Sequence, residues 1–217
     1  MNATPHVRRM TEADLPLAMH LKTLAGWNQT EADWRRFMWL CPEGCFVALV
    51  DGRDCGTAVA TILDGKVGWI AMILVHPDLR RRGVGTALMD ACIAFLRGRG
   101  IGSLKLDATP AGKTVYDLLG FAEEYQLERR QGTGRAYSQE AVSRLTQNDL
   151  GAVLELDREV CGVDRGNLLQ RSAEENPPMA RVCRSSSGEL RGYAMVRAGS
   201  NAWHVAPCVA TDADAGA

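Results

Sequence analysis

Residues 74–86 read Leu74-Val75-His76-Pro77-Asp78-Leu79-Arg80-Arg81-Arg82-Gly83-Val84-Gly85-Thr86. An apolar run ends here in a proline, three arginines and two spaced glycines, and Leu88, Cys92, Phe95 and Leu96 follow at helical spacing. The passage predicts a strand, a tight cationic turn and an amphipathic helix over about 83–99. Such a turn suits a phosphate, because the first N–H groups of a helix lack partners within it and its dipole is positive there. Gly83 and Gly85 allow oxygens to approach the backbone closely. Val84 adds a backbone N–H, Thr86 a hydroxyl, and Arg80, Arg81 and Arg82 charge. The strand end at Leu74 and Val75 can offer its amides to an extended ligand lying along the strand edge. The dinucleotide fingerprint Gly-x-Gly-x-x-Gly fails, because Leu88 takes its third glycine position.

Working outward, three runs rich in β-branched and apolar residues (45–50, 56–63 and 66–76) are separated by Asp51-Gly52 and Asp64-Gly65. Asp-Gly between strands predicts hairpins, hence an antiparallel meander. Before it come a short strand over 7–10, a helix capped by Thr11 and closed by Gly26, and a second helix starting at Thr30. Helical spacing assigns Trp34, Phe37 and Trp39 to the core. After the cationic turn and its helix come a strand over 103–108, a short helix over 114–119 and a strand over 121–129. The order predicts an α/β fold, a mixed sheet flanked by helices, with one right-handed crossover.

The opening pattern recurs. Val7-Arg-Arg-Met-Thr-Glu-Ala-Asp-Leu15 aligns with Val142-Ser-Arg-Leu-Thr-Gln-Asn-Asp-Leu150, Gly52–Gly56 with Gly188–Gly192, and Trp69 with Trp203. Residues 1–138 therefore read as one domain and 139–217 as an incomplete second copy. The counterpart of Arg80 falls near Asp214, with no second Arg/Gly turn, so only the first copy can grip a phosphate in this way.

Formal net charge is −1, with 46% hydrophobic and 24% charged residues. That balance gives no long-range attraction to nucleic acid or anionic membrane. No run reaches the ~18–20 apolar residues of a membrane span, nor does the start resemble a secretory signal, so a cytoplasmic location is expected. Seven scattered cysteines show no metal-ligand spacing. They read as reduced and mostly buried, and no metal is expected.

Arg-x-x-Gly-x-Gly behind a strand ending in Val-x-Pro resembles the acetyl-CoA motif of the GNAT acetyltransferase superfamily, matched at Arg80, Gly83 and Gly85. Tyr116-Asp-Leu-Leu-Gly120-Phe121 resembles that family's Tyr-x-x-x-Gly-Phe. The resemblance implies a GNAT-like sheet followed by a partial second GNAT-like repeat, with acetyl-CoA as acyl donor. It implies direct transfer to a primary amine of a small molecule or peptide, with Tyr116 protonating the departing thiolate. In such enzymes the link between the first two helices shapes the acceptor pocket, which here offers Trp27 and Asn28. One departure is plain: Trp69-Ile-Ala-Met-Ile73 lacks the carboxylate that some members use as general base. Glu31, Asp33, His76, Asp107 or a water chain are the alternatives, and spacing does not choose among them. A non-catalytic acyl-CoA sensor is the rival reading. The partial copy, with an apolar face to cover, is expected to pack on the first domain or on a second subunit, so a homodimer is possible. Asp107-Ala-Thr-Pro-Ala-Gly-Lys-Thr114 superficially resembles a P-loop, but Asp107 replaces its first glycine and Pro110 removes a donor.

Overall fold

In the computed structural model, which describes residues 4–133, 142–175 and 177–216, both Asp-Gly pairs turn as expected. Asp51 and Gly52 take φ of 52° and 74°, Asp64 and Gly65 of 53° and 62°. Two successive positive φ values match the twist of tight hairpins. The first region runs β1 (His6–Arg9), α1 (Leu15–Leu24), α2 (Glu31–Leu40), β2 (Cys45–Val50), β3 (Arg53–Leu63), β4 (Val67–Val75), α3 (Val84–Gly98), β5 (Ser103–Leu106) and α4 (Pro110–Leu118). Its sheet has the order β1-β2-β3-β4-β5, antiparallel except for the β4–β5 pair.

The two faces of this sheet bury different helices. Leu88, Met89, Cys92 and Leu96 of α3 pack against Ala58, Ala60 and Ile70 on one face. On the other, Leu15, Ala18, Leu21 and Trp34 of α1 and α2 pack against Val47, Val59 and Leu74. The close seat of α3 requires Gly68, where a Cβ would fall 2.6 Å from a Leu96 methyl.

One irregularity in β4 shapes everything beyond it. Ala71 lies opposite Val59 and Leu74 opposite Thr57, so β4 carries one extra residue there. Met72 adopts φ +57°, unusual for a non-glycine residue, and the Thr57 hydroxyl donates to its carbonyl at 3.0 Å. Pairing with β5 ends at the Ile70–Leu106 rung. From Ala71 to Val75 the β5-facing edge of β4 therefore has no strand partner among the described residues, and the two strands fork.

Three expectations need correction. Residues 121–133 form no strand. β5 is only four residues long and offers a short edge, and Tyr125 and Leu127 of the following segment find nothing to bury them. Phe121 against Tyr116 and a 2.8 Å Lys105–Glu124 ion pair tether that segment instead. Trp39 is not core but 51% exposed, lying under the Arg171 guanidinium. It is five residues from buried Trp34, about 140° round the helix. Finally, α4 begins at Pro110 rather than 114, because Thr109 caps it by accepting from the Gly112 N–H at 3.2 Å.

The second region repeats the opening order as β6 (Val142–Arg144), α5 (Leu150–Cys161), α6 (Gly166–Glu175), β7 (Arg181–Arg184), β8 (Leu190–Arg197) and β9 (His204–Ala210), then a short α7 (Ala213–Gly216). Its antiparallel sheet has the order β6-β7-β8-β9. The repeat shows at atomic detail: Asp14 accepts from the backbone N–H and hydroxyl of Thr11, and Asp149 does the same for Thr146. The boundary expected at 138/139 lies outside the described residues. Asp214, expected at the Arg80 position, falls within α7. No helix among the described residues is long and apolar enough to cross a membrane.

Candidate functional site

The chain leaves β4 through Pro77 and reverses at Arg81 (φ +58°) and Gly83 (φ +78°), which caps α3. The first intrahelical bond joins the Ala87 N–H to the Gly83 carbonyl at 3.0 Å, and no side chain caps the helix. The N–H groups of Val84, Gly85 and Thr86 are therefore available to a ligand. A Cβ on Gly85 would come no nearer to another residue than 4.0 Å, at Val75 Cγ2. Internal packing thus does not require glycine there. The space in front of the turn suits an anion that must reach the backbone.

The three arginines differ. Arg80 donates through Nε to the Val75 carbonyl at 3.2 Å and bridges strand and turn. Arg82 lies 3.5 Å from the Asp51 carboxylate, and Arg81 is exposed with no partner among the described residues. Leu74 and Val84 send their side chains into the core, so only their backbones face the site.

Tyr116 projects from α4, half-buried, with its ring edge-on to Phe121 at 6.2 Å. Burial raises its phenol above the ordinary value, and the nearby Cys92 thiol adds to the effect. A cavity of about 730 Å³ opens along β5 and α4, with Tyr116 and Asp107 both on its wall. Lys113 engages Asp117 at 3.0 Å and Glu123 at 3.6 Å.

The four side-chain alternatives for the proton acceptor now separate. Asp33 is almost fully buried: one oxygen accepts from the Thr30 N–H and hydroxyl, the other from Arg36 at 2.8 Å and Arg197 at 3.0 Å. Glu31 pairs with Arg35 at 2.6 Å on the surface. His76 accepts from the Asp78 N–H at 3.4 Å and stacks on His20. Asp107 follows the last β4–β5 rung directly, exposed, with no hydrogen bond to any described residue. Partial desolvation by its neighbours raises its carboxyl, and the Arg129 charge opposes that rise.

Sequence reasoning missed how the second region meets the α1–α2 link. The β8–β9 turn lies on it: Asn28 accepts from the N–H groups of Asn201 and Ala202 at 2.8 and 3.0 Å and donates to the Ala202 carbonyl at 3.0 Å. The buried Lys22 donates to Ser200 at 2.6 Å. A Cβ on Gly199 would stand 2.3 Å from Asn28 Nδ2, so a larger residue there would displace the Asn28 side chain. Asn28, expected to meet the acceptor, thus has its side chain engaged by the second region. Trp27, expected as a ligand cover, is half-buried against the α1–α2 core. No signal in Gly199-Ser-Asn-Ala-Trp203 identifies its partner, because the contact spans more than 170 residues. Replacing Asn28 with alanine removes three hydrogen bonds and should loosen the contact by about 1–3 kcal/mol. Limited proteolysis should then release the second region faster than in the unaltered protein.

Among the described residues, no group of three or more His, Cys, Asp or Glu side chains is arranged to hold a metal ion. Comparison with known proteins bears on the rest. A model of the acetyltransferase (GNAT) family matches residues 14–121, and one of an acetyltransferase (GNAT) domain matches 153–217. An uncharacterized N-acetyltransferase of Methanocaldococcus jannaschii is 31% identical over 137 residues, covering 54% of this chain and 61% of that protein. A mycothiol acetyltransferase of Clavibacter michiganensis is 30% identical over 162 residues, covering 66% and 52%. An N-alpha-acetyltransferase of Arabidopsis thaliana is 31% identical over 100 residues, covering 43% and 53%. The chain thus spans between half and two thirds of the length of these relatives. A crystal structure of a proposed acetyltransferase from Pyrococcus horikoshii superposes with a TM-score of 0.78 at 21% identity, covering 97% of this chain and 73% of that one. At that identity the likeness concerns the fold, and it includes both regions.

Proposed function

The chain belongs to the GNAT acetyltransferase family, and from that premise we propose that it is an acetyl-CoA-dependent N-acetyltransferase acting by direct transfer on a primary amine of a small molecule or peptide. The observation that carries this reading is the fork: a β4 edge unpaired among the described residues leads through a short turn into a helix N-terminus without a side-chain cap, fronted by Gly85. The N–H groups of 84–86 and the charge of Arg81 suit a pyrophosphate. The free edge at Leu74 and Val75 suits the amides of a pantetheine arm. When bound, acetyl-CoA supplies the activated acyl carbon. Tyr116, kept protonated by burial, supplies a proton to the leaving sulfur. The N-alpha-acetyltransferase among the relatives supports an amine as acceptor.

Calorimetry with acetyl-CoA, followed by thiol release across a panel of peptide and small-molecule amines, tests this reading. Binding without thiol release for any amine would favour the sensor instead, a reading kept in view by the absence of a carboxylate from 69–73. Tyr116→Phe should lower turnover about 10²-fold, within the usual range for a lost general acid. Its affinity for acetyl-CoA should stay within threefold. An unchanged turnover would remove Tyr116 from the chemistry.

A further inference from the structure

We propose that Asp107 is the group that takes the proton from the acceptor amine. This rests on the acetyltransferase reading and supplies the proton acceptor that the β4 strand lacks. Three observations converge on it.

The first is position. Leu106 makes the last rung with Ile70, and Asp107 is the next residue, at the apex where β5 and β4 part. The extra residue at Met72 opens the β4 edge from the same point. The second is company. Asp107 and Tyr116 stand on the wall of one cavity, so a proton acceptor and a proton donor face a shared space. The third is availability. Asp33 is saturated by two arginines and a helix cap, Glu31 is paired at the surface, and His76 is turned to its own turn and to His20. Asp107, by contrast, is exposed and takes no hydrogen bond from any described residue, so its oxygens are open to an incoming ammonium. Arg129 favours its ionised form.

The step balances as follows. Asp107 accepts one proton from the acceptor ammonium, leaving a neutral amine whose lone pair bonds to the acyl carbon. As the carbon–sulfur bond breaks, the sulfur takes the phenolic proton of Tyr116, and the phenolate takes the second proton from nitrogen. The products are the amide and free thiol, with one proton left on Asp107 to be returned to solvent.

The test uses the full chain and two kinds of nucleophile. Asp107→Asn should bind acetyl-CoA within threefold of the unaltered protein by calorimetry. Its kcat/KM toward an alkyl amine or a peptide α-amine should fall about 10²-fold or more. Toward hydroxylamine, which is already uncharged at neutral pH, it should fall less than tenfold. Asp107→Ala, read in the same way, should recover activity when formate is added. Equal losses with both nucleophiles, or activity within threefold of the unaltered protein, would overturn the proposal. So would a loss of acetyl-CoA affinity matching the loss of turnover, which would move Asp107 into the cofactor cradle. If the unaltered protein itself releases no thiol with any amine, the acetyltransferase reading fails, and Asp107 loses its role with it.

Discussion

Replacing Gly85 by glutamate should reduce acetyl-CoA affinity at least a hundredfold, about 3 kcal/mol, while leaving the protein as stable as before or more so. The two effects have opposite signs for separate reasons. Gly85 is the second residue of α3, where glycine costs about 0.5–1 kcal/mol relative to residues with a Cβ. A carboxylate in the first turn adds about 0.3–1 kcal/mol through the helix dipole. No other residue would meet the new Cβ closer than 4.0 Å. The folded chain therefore accepts glutamate easily. The bound pyrophosphate does not, because a like charge and a whole glutamate side chain enter the space it needs. Thermal melting and calorimetry on the same sample separate the outcomes. A raised melting temperature with lost affinity is expected; unaltered affinity would mean that the cradle lies elsewhere. Gly83 is a poorer target, since its φ of +78° would strain any substitute.

How far the sequence revealed this site depended on whether local chemistry or distant packing set each part. The strand, cationic turn and α3 were legible because glycine, proline and helical periodicity act within a dozen residues. The hairpins were legible because Asp-Gly prescribes its own backbone. The repeat announced itself through the Thr-x-x-Asp cap, a local device used at Thr11 and again at Thr146. The fork was not legible. Met72 is an ordinary strand residue by type, and only the Thr57 hydroxyl and the register on β3 hold it in the left-handed region. Asp33 looked as free as Asp107 in the sequence, and one of its two arginine partners, Arg197, comes from the second region. Residues 121–129 have strand-like composition but lie beside a short edge that does not recruit them. In each of these cases the deciding atoms are far away in the chain.

The polar centre of the second region should be as sensitive as the cradle of the first. Asp157 is wholly buried in α5 and accepts from Arg165 at 3.0 and 2.5 Å, from the Tyr193 hydroxyl, and from the Cys161 thiol at 3.7 Å. Around it lie Val153, Leu156, Leu169, Val182 and Met195. Burial by itself would push the carboxyl up; the Arg165 guanidinium and the Tyr193 hydroxyl outweigh it and hold the group below the ordinary carboxylate range. Because the folded value lies below the unfolded one, this contribution is fully present above the unfolded value of about 3.9. It is lost as pH falls through the folded value. Asp157→Ala should remove it at all pH values and leave the buried Tyr193 hydroxyl without its acceptor. Breaking such a pair costs about 3–5 kcal/mol, a large share of the ~5–15 kcal/mol that holds a typical domain together. Tyr193→Phe leaves Asp157 its arginine and should cost only about 1–2 kcal/mol. Hydrogen exchange locates the damage. In Asp157→Ala, the amides of β8 and β9 should lose protection while those of β2 and β3, around a separate core, keep theirs. Intact protection in β8 would mean that the apolar cluster alone holds the second sheet and that the buried carboxylate contributes little to it.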